Sequence, residues 1–159
     1  MLFERASVII KDGEKLSFDY VPENLVHREE QMKRMAMLFR SVVDYGGSET
    51  AFLSGGVGTG KTATVRRFCS DMAAHCARLS IPLDYIIVNC RQKSTESSIL
   101  LQLVRHFDPA FPDRGFSTGE MLRVMRNHIM KSGKRFILVL DEVDVLLKKG
   151  GIDLVYQIS

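Results

Sequence analysis

Residues 55–62 read GGVGTGKT and fit the spacing G-x-x-x-x-G-K-[ST] with Gly55, Gly60, Lys61 and Thr62. The pattern suits a loop that wraps a polyphosphate. Its backbone N–H groups must point inward and the ligand must come close to the main chain, which glycine permits. A helix starting at Lys61 would aim its unpaired N–H groups and positive dipole end at the phosphates. Lys61 can reach the β- and γ-phosphate oxygens as a point charge, and the Thr62 hydroxyl can coordinate Mg²⁺. Gly56, Val57, Gly58, Thr59 and Ala63 complete the expected contact set. A random chain of this length fits the pattern on the order of once in a hundred.

The second chemical feature is FILVLDE (136–142), an apolar run closed by two acids. Beside a phosphate loop, the first acid is expected to hold Mg²⁺, usually through water. That role falls to Asp141. Glu142 is then placed to polarise the attacking water. Asp144 reads either as a helix-start cap or as a supporting acid. No N-K-x-D guanine signature occurs, so ATP or ADP is the expected nucleotide.

Elements that must position these residues follow from the apolar pattern. Met32, Met35, Ala36, Phe39, Val42 and Val43 recur at helical spacing over 28–44, and Gly46 suits a left-handed stop. TAFLS (50–54) reads as a buried strand leading into the loop. A helix from Lys61 to about Leu79 turns Val65, Phe68, Met72, Cys76 and Leu79 inward. DYIIVN (84–89) and RFILVL (135–140) read as further buried strands. Ser94 or Thr95 can cap a helix carrying Ile99, Leu100, Leu103, Val104 and Phe107. Ser117 and Glu120 have capping-box spacing ahead of Met121, Leu122, Met125 and Ile129. Lys148 to Gly151 make a turn before a last helical stretch (152–159). Residues 1–26 read as irregular, with SVII (7–10) as a short strand. Apolar strands alternating with amphipathic helices predict an α/β fold, a parallel sheet with helices on both faces.

Composition sets the class. The chain has 159 residues, 45% hydrophobic and 26% charged, which fits one globular domain and excludes a low-complexity polymer. A net charge of +3, with no basic block, does not by itself imply nucleic-acid binding. Arg66, Arg67, Arg123, Arg126 and Arg135 form no stripe with interleaved aromatics and read as solvated helix faces. No run approaches the roughly 18 apolar residues of a membrane span, and the N-terminus is no secretory signal. Cys69, Cys76 and Cys90 lack metal or disulfide spacing and read as reduced core thiols, which points to the cytoplasm. His75, His106 and His128 sit in helical segments and read as packing or surface residues.

Three further segments, YVPENLVHREEQ (20–31), VNCRQKST (88–95) and LDEVDVLL (140–147), narrow the reading. With GGVGTGKT they resemble the AAA-plus initiator ATPases of the origin-recognition-complex and cell-division-control-six family, archaeal type. The resemblance covers almost the whole chain. It implies a P-loop NTPase sheet flanked by helices and truncated before the later strands. It also implies bound ATP or ADP with Mg²⁺, and a place in DNA replication initiation. By the resemblance, Val21, Pro22, Leu25, Val26, His27 and Arg28 lie near the adenine. Residues 1–26 would lead to that pocket, and 27–159 would be a partial AAA-plus nucleotide-binding domain.

The family's helical lid, winged-helix DNA-binding domain, arginine finger and γ-phosphate-sensing strand find no counterpart here. The resemblance places that strand between the phosphate-loop strand and the acidic one. Without it the two motifs are not joined by direct strand pairing. The chain therefore reads as a piece of a larger ATPase, with weak turnover on its own. Origin duplex DNA, bound through the other parts, and a replication helicase are the implied partners, with no membrane. Two other readings fit the phosphate loop and the acidic pair equally well. One is an AAA-plus motor or clamp-loader-type ATPase; the other is a signalling P-loop ATPase that switches protein partners.

Overall fold

The computed structural model describes residues 27–159. The expectations for SVII and for Val21, Pro22, Leu25 and Val26 lie outside the described residues. Two strands, β1 (Leu83–Asn89) and β2 (Arg135–Asp141), pair in parallel, with Asn89 opposite Asp141 at the C-terminal end. Seven helices accompany them among the described residues: α1 (Glu29–Leu38), α2 (Arg40–Tyr45), α3 (Lys61–Arg78), α4 (Glu96–Phe107), α5 (Thr118–Ser132), α6 (Val143–Lys148) and α7 (Ile152–Ile158).

Strand side chains alternate between two cores, as a pleated sheet requires. Val88, with Ile86, Leu138 and Leu140, joins the α4–α7 side. Ile137, with Leu83, Tyr85 and Val139, joins the α1–α3 side. Helix α4 carries the densest contribution. Its Ile99, Leu100, Leu103 and Val104 are 0–1% exposed, and each is worth about 1.5–3 kcal/mol of burial. Among the residues expected to face inward, Phe68, Met72 and Cys76 do so, whereas Leu79 is exposed at the end of α3.

Local signals fix the helix ends. Thr95 caps α4, its hydroxyl accepting from Ser98 N–H. Ser117 and Glu120 form the expected reciprocal box at the start of α5. Gly46 stops α2 with φ 68° and Gly133 stops α5 with φ 62°, both left-handed. The helix predicted over 28–44 divides at Phe39, whose ring packs on Phe68 of α3 at 5.6 Å between centroids. Helix α6 lies between the acidic pair and the glycine turn; its N-cap residue is Glu142, and Asp144 sits in its first turn and is not the cap.

The expected strand before the glycine loop is absent among the described residues. TAFLS (50–54) forms no strand, and Phe52 is 76% exposed. A strand needs a neighbour for its backbone groups, and among the described residues the sheet consists of β1 and β2 alone. Between residues 50–54 and β2 lies an open cleft of about 2190 Å³, lined by Phe52, Leu53, Ile137 and Val139 among others. That exceeds the roughly 300–1,000 Å³ of a ligand pocket. The cleft thus joins the candidate site to the open edge of β2.

Candidate nucleotide site

The phosphate loop leaves residues 50–54 and ends at Gly60, which caps α3 in the left-handed conformation with φ 78°. Gly58 is also left-handed, with φ 76°. The Gly60 carbonyl accepts from Thr64 N–H at 2.9 Å and from the Thr64 hydroxyl at 2.8 Å. Thr64 is 3% exposed, so the loop-to-helix corner is anchored in the core. Its part was missed in the sequence, where a threonine inside a helix gives no distinguishing signal. Thr59 Oγ1 donates to the Gly56 carbonyl at 2.9 Å. Val57 stands fully exposed at the loop tip.

Lys61 folds back over this loop. Its ammonium donates to the Gly55 carbonyl at 2.8 Å and the Gly56 carbonyl at 2.7 Å. These are carbonyl oxygens that a cation can exchange for phosphate oxygens of higher charge. The ammonium is thus held at the loop by neutral carbonyl oxygens.

The loop and the acidic strand end meet through side chains, not through a strand ladder. Thr62 Oγ1 lies 2.9 Å from Asp141 Oδ2 and 3.1 Å from Oδ1, across 79 residues of sequence. A hydroxyl and a carboxylate held this close supply two hard oxygen donors. That suits Mg²⁺, which keeps several waters and takes the rest of its shell from phosphates. Among the described residues there is no group of three or more His, Cys, Asp or Glu that could hold a metal ion.

Glu142 follows Asp141 with φ 55°, a left-handed conformation that costs a non-glycine residue about 1–2 kcal/mol. Two bonds keep it there. Glu142 N–H donates to Asp141 Oδ1 at 3.1 Å, and the Glu142 carbonyl accepts from Val145 N–H at 3.1 Å. The turn ends β2 sharply and starts α6. The Glu142 carboxylate is ion-paired with Arg91 at 3.1 Å. Arg91 was read only as part of a family-like segment. The available signal was its place two residues beyond Asn89, which lies beside Asp141. Asn89 Oδ1 accepts from Arg91 N–H at 2.9 Å and from Gln92 N–H at 3.2 Å, a turn that brings Arg91 round to Glu142.

Cys90 lies beneath the same strand ends, and its N–H donates to the Asp141 carbonyl at 2.9 Å. Burial, then the charges of Asp141, Asp144 and Glu142, push its thiol up to about 11. It is a packing residue and not a nucleophile. Cys69 is likewise raised to about 11 by burial.

Of the expected adenine-side residues, His27 and Arg28 are described. His27 has a left-handed turn with φ 60° and is exposed. Arg28 points its guanidinium to the phosphate loop, where it donates to the Thr59 carbonyl.

Residues 24–158 match the AAA ATPase domain family. The chain belongs to that family. Its relatives include ORC1-type DNA replication protein 1 of Sulfurisphaera tokodaii, 33% identical over 153 residues, which is 96% of this chain and 38% of that protein. ORC1-type DNA replication protein 1 of Archaeoglobus fulgidus is 34% identical over 146 residues, 91% of this chain and 35% of the relative. Among solved structures, Aeropyrum pernix ORC1 in complex with DNA superposes with a TM-score of 0.83 at 32% identity, over 93% of this chain and 39% of that one. The chain thus spans under two fifths of the length of each of these three.

Proposed function

We propose that this chain is the nucleotide-binding part of a DNA replication initiator, taking ATP or ADP with Mg²⁺. The observation that carries the reading is the meeting of Thr62 with Asp141 beneath the glycine loop. The relatives' names and a DNA-bound neighbour at 32% identity support the replication context.

In this reading the loop N–H groups of residues 55–62 hold the phosphates, and Lys61 moves from loop carbonyls to phosphate oxygens. Thr62 and Asp141 hold Mg²⁺, which neutralises charge on the phosphates. Val21, Pro22, Leu25, Val26 and His27 form the adenine side. Glu142 polarises the attacking water once its carboxylate leaves Arg91. The nucleotide acts as a switch with slow turnover, which sets how long a DNA-loaded state persists. In the longer protein, origin duplex DNA is bound through other domains and a replicative helicase is a downstream partner. The protein acts in the cytoplasm; no helix among the described residues is long and apolar enough to cross a membrane.

The test uses the longer protein containing this chain. Gel shifts with duplex DNA at several salt concentrations should show binding that weakens steeply with salt. Glu142→Gln should retain ATP and slow hydrolysis. Absence of any salt-dependent DNA binding would end the initiator reading. Fast, DNA-stimulated turnover would favour a motor instead.

A further inference from the structure

Arg28 and Thr59 lie 31 residues apart in sequence, yet Arg28 Nη2 donates to the Thr59 carbonyl oxygen. A β-carbon added at Gly60 would stand 4.0 Å from both Nε and Nη2 of Arg28. The guanidinium therefore lies against the Gly60 backbone. Arg28 itself is partly buried and fixed at its base. It is the N-cap residue of α1, its carbonyl accepts from Met32 N–H at 2.9 Å, and the left-handed turn at His27 precedes it.

The consequence comes from peptide geometry. In a planar trans peptide the C=O and the following N–H point in opposite directions. Holding the Thr59 carbonyl toward Arg28 therefore directs the Gly60 N–H away from Arg28. Gly60, in the left-handed region and lacking a β-carbon, has little intrinsic resistance to rotation of that peptide. The peptide on its other side is already pinned, because Thr64 takes the Gly60 carbonyl twice. Arg28 and Thr64 thus hold the two peptide planes flanking Gly60, one from α1 and one from α3.

We propose that Arg28 is a positioning residue for the phosphate loop, holding the Thr59–Gly60 peptide so that the Gly60 N–H is preset toward a bound di- or triphosphate. This rests on the nucleotide-binding reading above and gives Arg28 a different task from lining the adenine. It acts through the loop and not on the base. A rigid guanidinium fork suits this contact better than a single ammonium.

The test compares the full chain with its Arg28→Ala, Arg28→Gln and Arg28→Lys variants, each checked for fold by circular dichroism. A fluorescent ADP analogue is titrated with Mg²⁺, and inorganic pyrophosphate is measured by competition. The nucleotide-free Gly60 amide is followed by NMR. Loss of a hydrogen bond from a charged donor should weaken binding about tenfold. The factor should be the same for ADP and pyrophosphate in the Ala and Gln variants, with partial recovery in Arg28→Lys. The Gly60 amide resonance should move in the Ala and Gln variants before any ligand is added. Weaker ADP binding with unchanged pyrophosphate binding would place Arg28 on the base or ribose and overturn the proposal. Unchanged affinities for both ligands would overturn it as well. Failure of the unmodified chain to bind either ligand would instead remove the nucleotide reading itself, and this role with it.

Discussion

Replacing Asp141 with asparagine separates what the carboxylate does for the fold from what it does for a cation. In the unmodified chain Asp141 accepts from Thr62 Oγ1 at 2.9 and 3.1 Å and from Glu142 N–H at 3.1 Å. Asparagine keeps the shape and one acceptor oxygen but loses the charge. A hydrogen bond to a charged group contributes about 1.5–3 kcal/mol and a neutral one about 0.5–1.5, so the loss should be roughly 1–1.5 kcal/mol. For a chain of this size that lowers the melting temperature by about 2–6 °C. The cation effect should be much larger in relative terms, since the neutral amide oxygen lacks the charge that a carboxylate offers Mg²⁺. ADP should bind Asp141→Asn equally with Mg²⁺ or with a chelator, whereas the unmodified chain should bind more tightly with Mg²⁺. A third readout is Cys90, whose thiol is raised by burial first and by Asp141 next. Its thiolate should appear at lower pH in the variant. Undiminished Mg²⁺ dependence in Asp141→Asn would refute the metal assignment.

Three further outcomes are expected. Gly151→Ala would place a β-carbon 2.5 Å from Leu146 Cγ and closer still to Cδ1, in a core where Leu146 is 1% exposed. It should cost about 1–3 kcal/mol, and adding Leu146→Ala should recover part of that clash in a double-mutant cycle. The folded values of Cys69 and Cys90, about 11 against an ordinary 9.0, mean that folding favours the protonated thiols. Their contribution is complete below pH 9 and is lost as pH rises toward 11, so denaturant midpoints should fall across that window and fall less in Cys69→Ala. Ser117→Ala removes the hydroxyl half of the α5 capping box, leaving the bond from the backbone N–H of residue 117 to Glu120, and should cost about 0.5–2 kcal/mol by chemical denaturation. The Ser117 backbone and hydroxyl also hold the Glu120 carboxyl below its ordinary value. That cap therefore contributes above the ordinary carboxylate range and fades as pH falls.

What the sequence reveals depends on how local each cause is. The Ser117–Glu120 box, the Thr95 cap and the Gly46 stop are settled within a few residues, and each stands where the sequence puts it. The apolar runs 84–89 and 135–140 are strands because both faces are covered, which their unbroken hydrophobicity already requires. TAFLS has the same local character and forms no strand, because strand formation depends on a neighbour elsewhere in the chain. The site divides along the same line. GGVGTGKT and the acidic pair are legible because glycine spacing and strand-end acids are local patterns. The hold of Arg91 on Glu142 and the reach of Arg28 to Thr59 arise only when distant segments pack together.

The most direct test of the account is a titration of this chain with a fluorescent ADP analogue and Mg²⁺, alongside Lys61→Ala. Lys61 makes only exposed contacts with the loop carbonyls, so the variant should fold and melt nearly as the unmodified chain does. The account predicts saturable binding by the unmodified chain that weakens at least tenfold in Lys61→Ala, a loss of about 1.4 kcal/mol or more. Equal binding by the two folded proteins, or no binding by either, would contradict it.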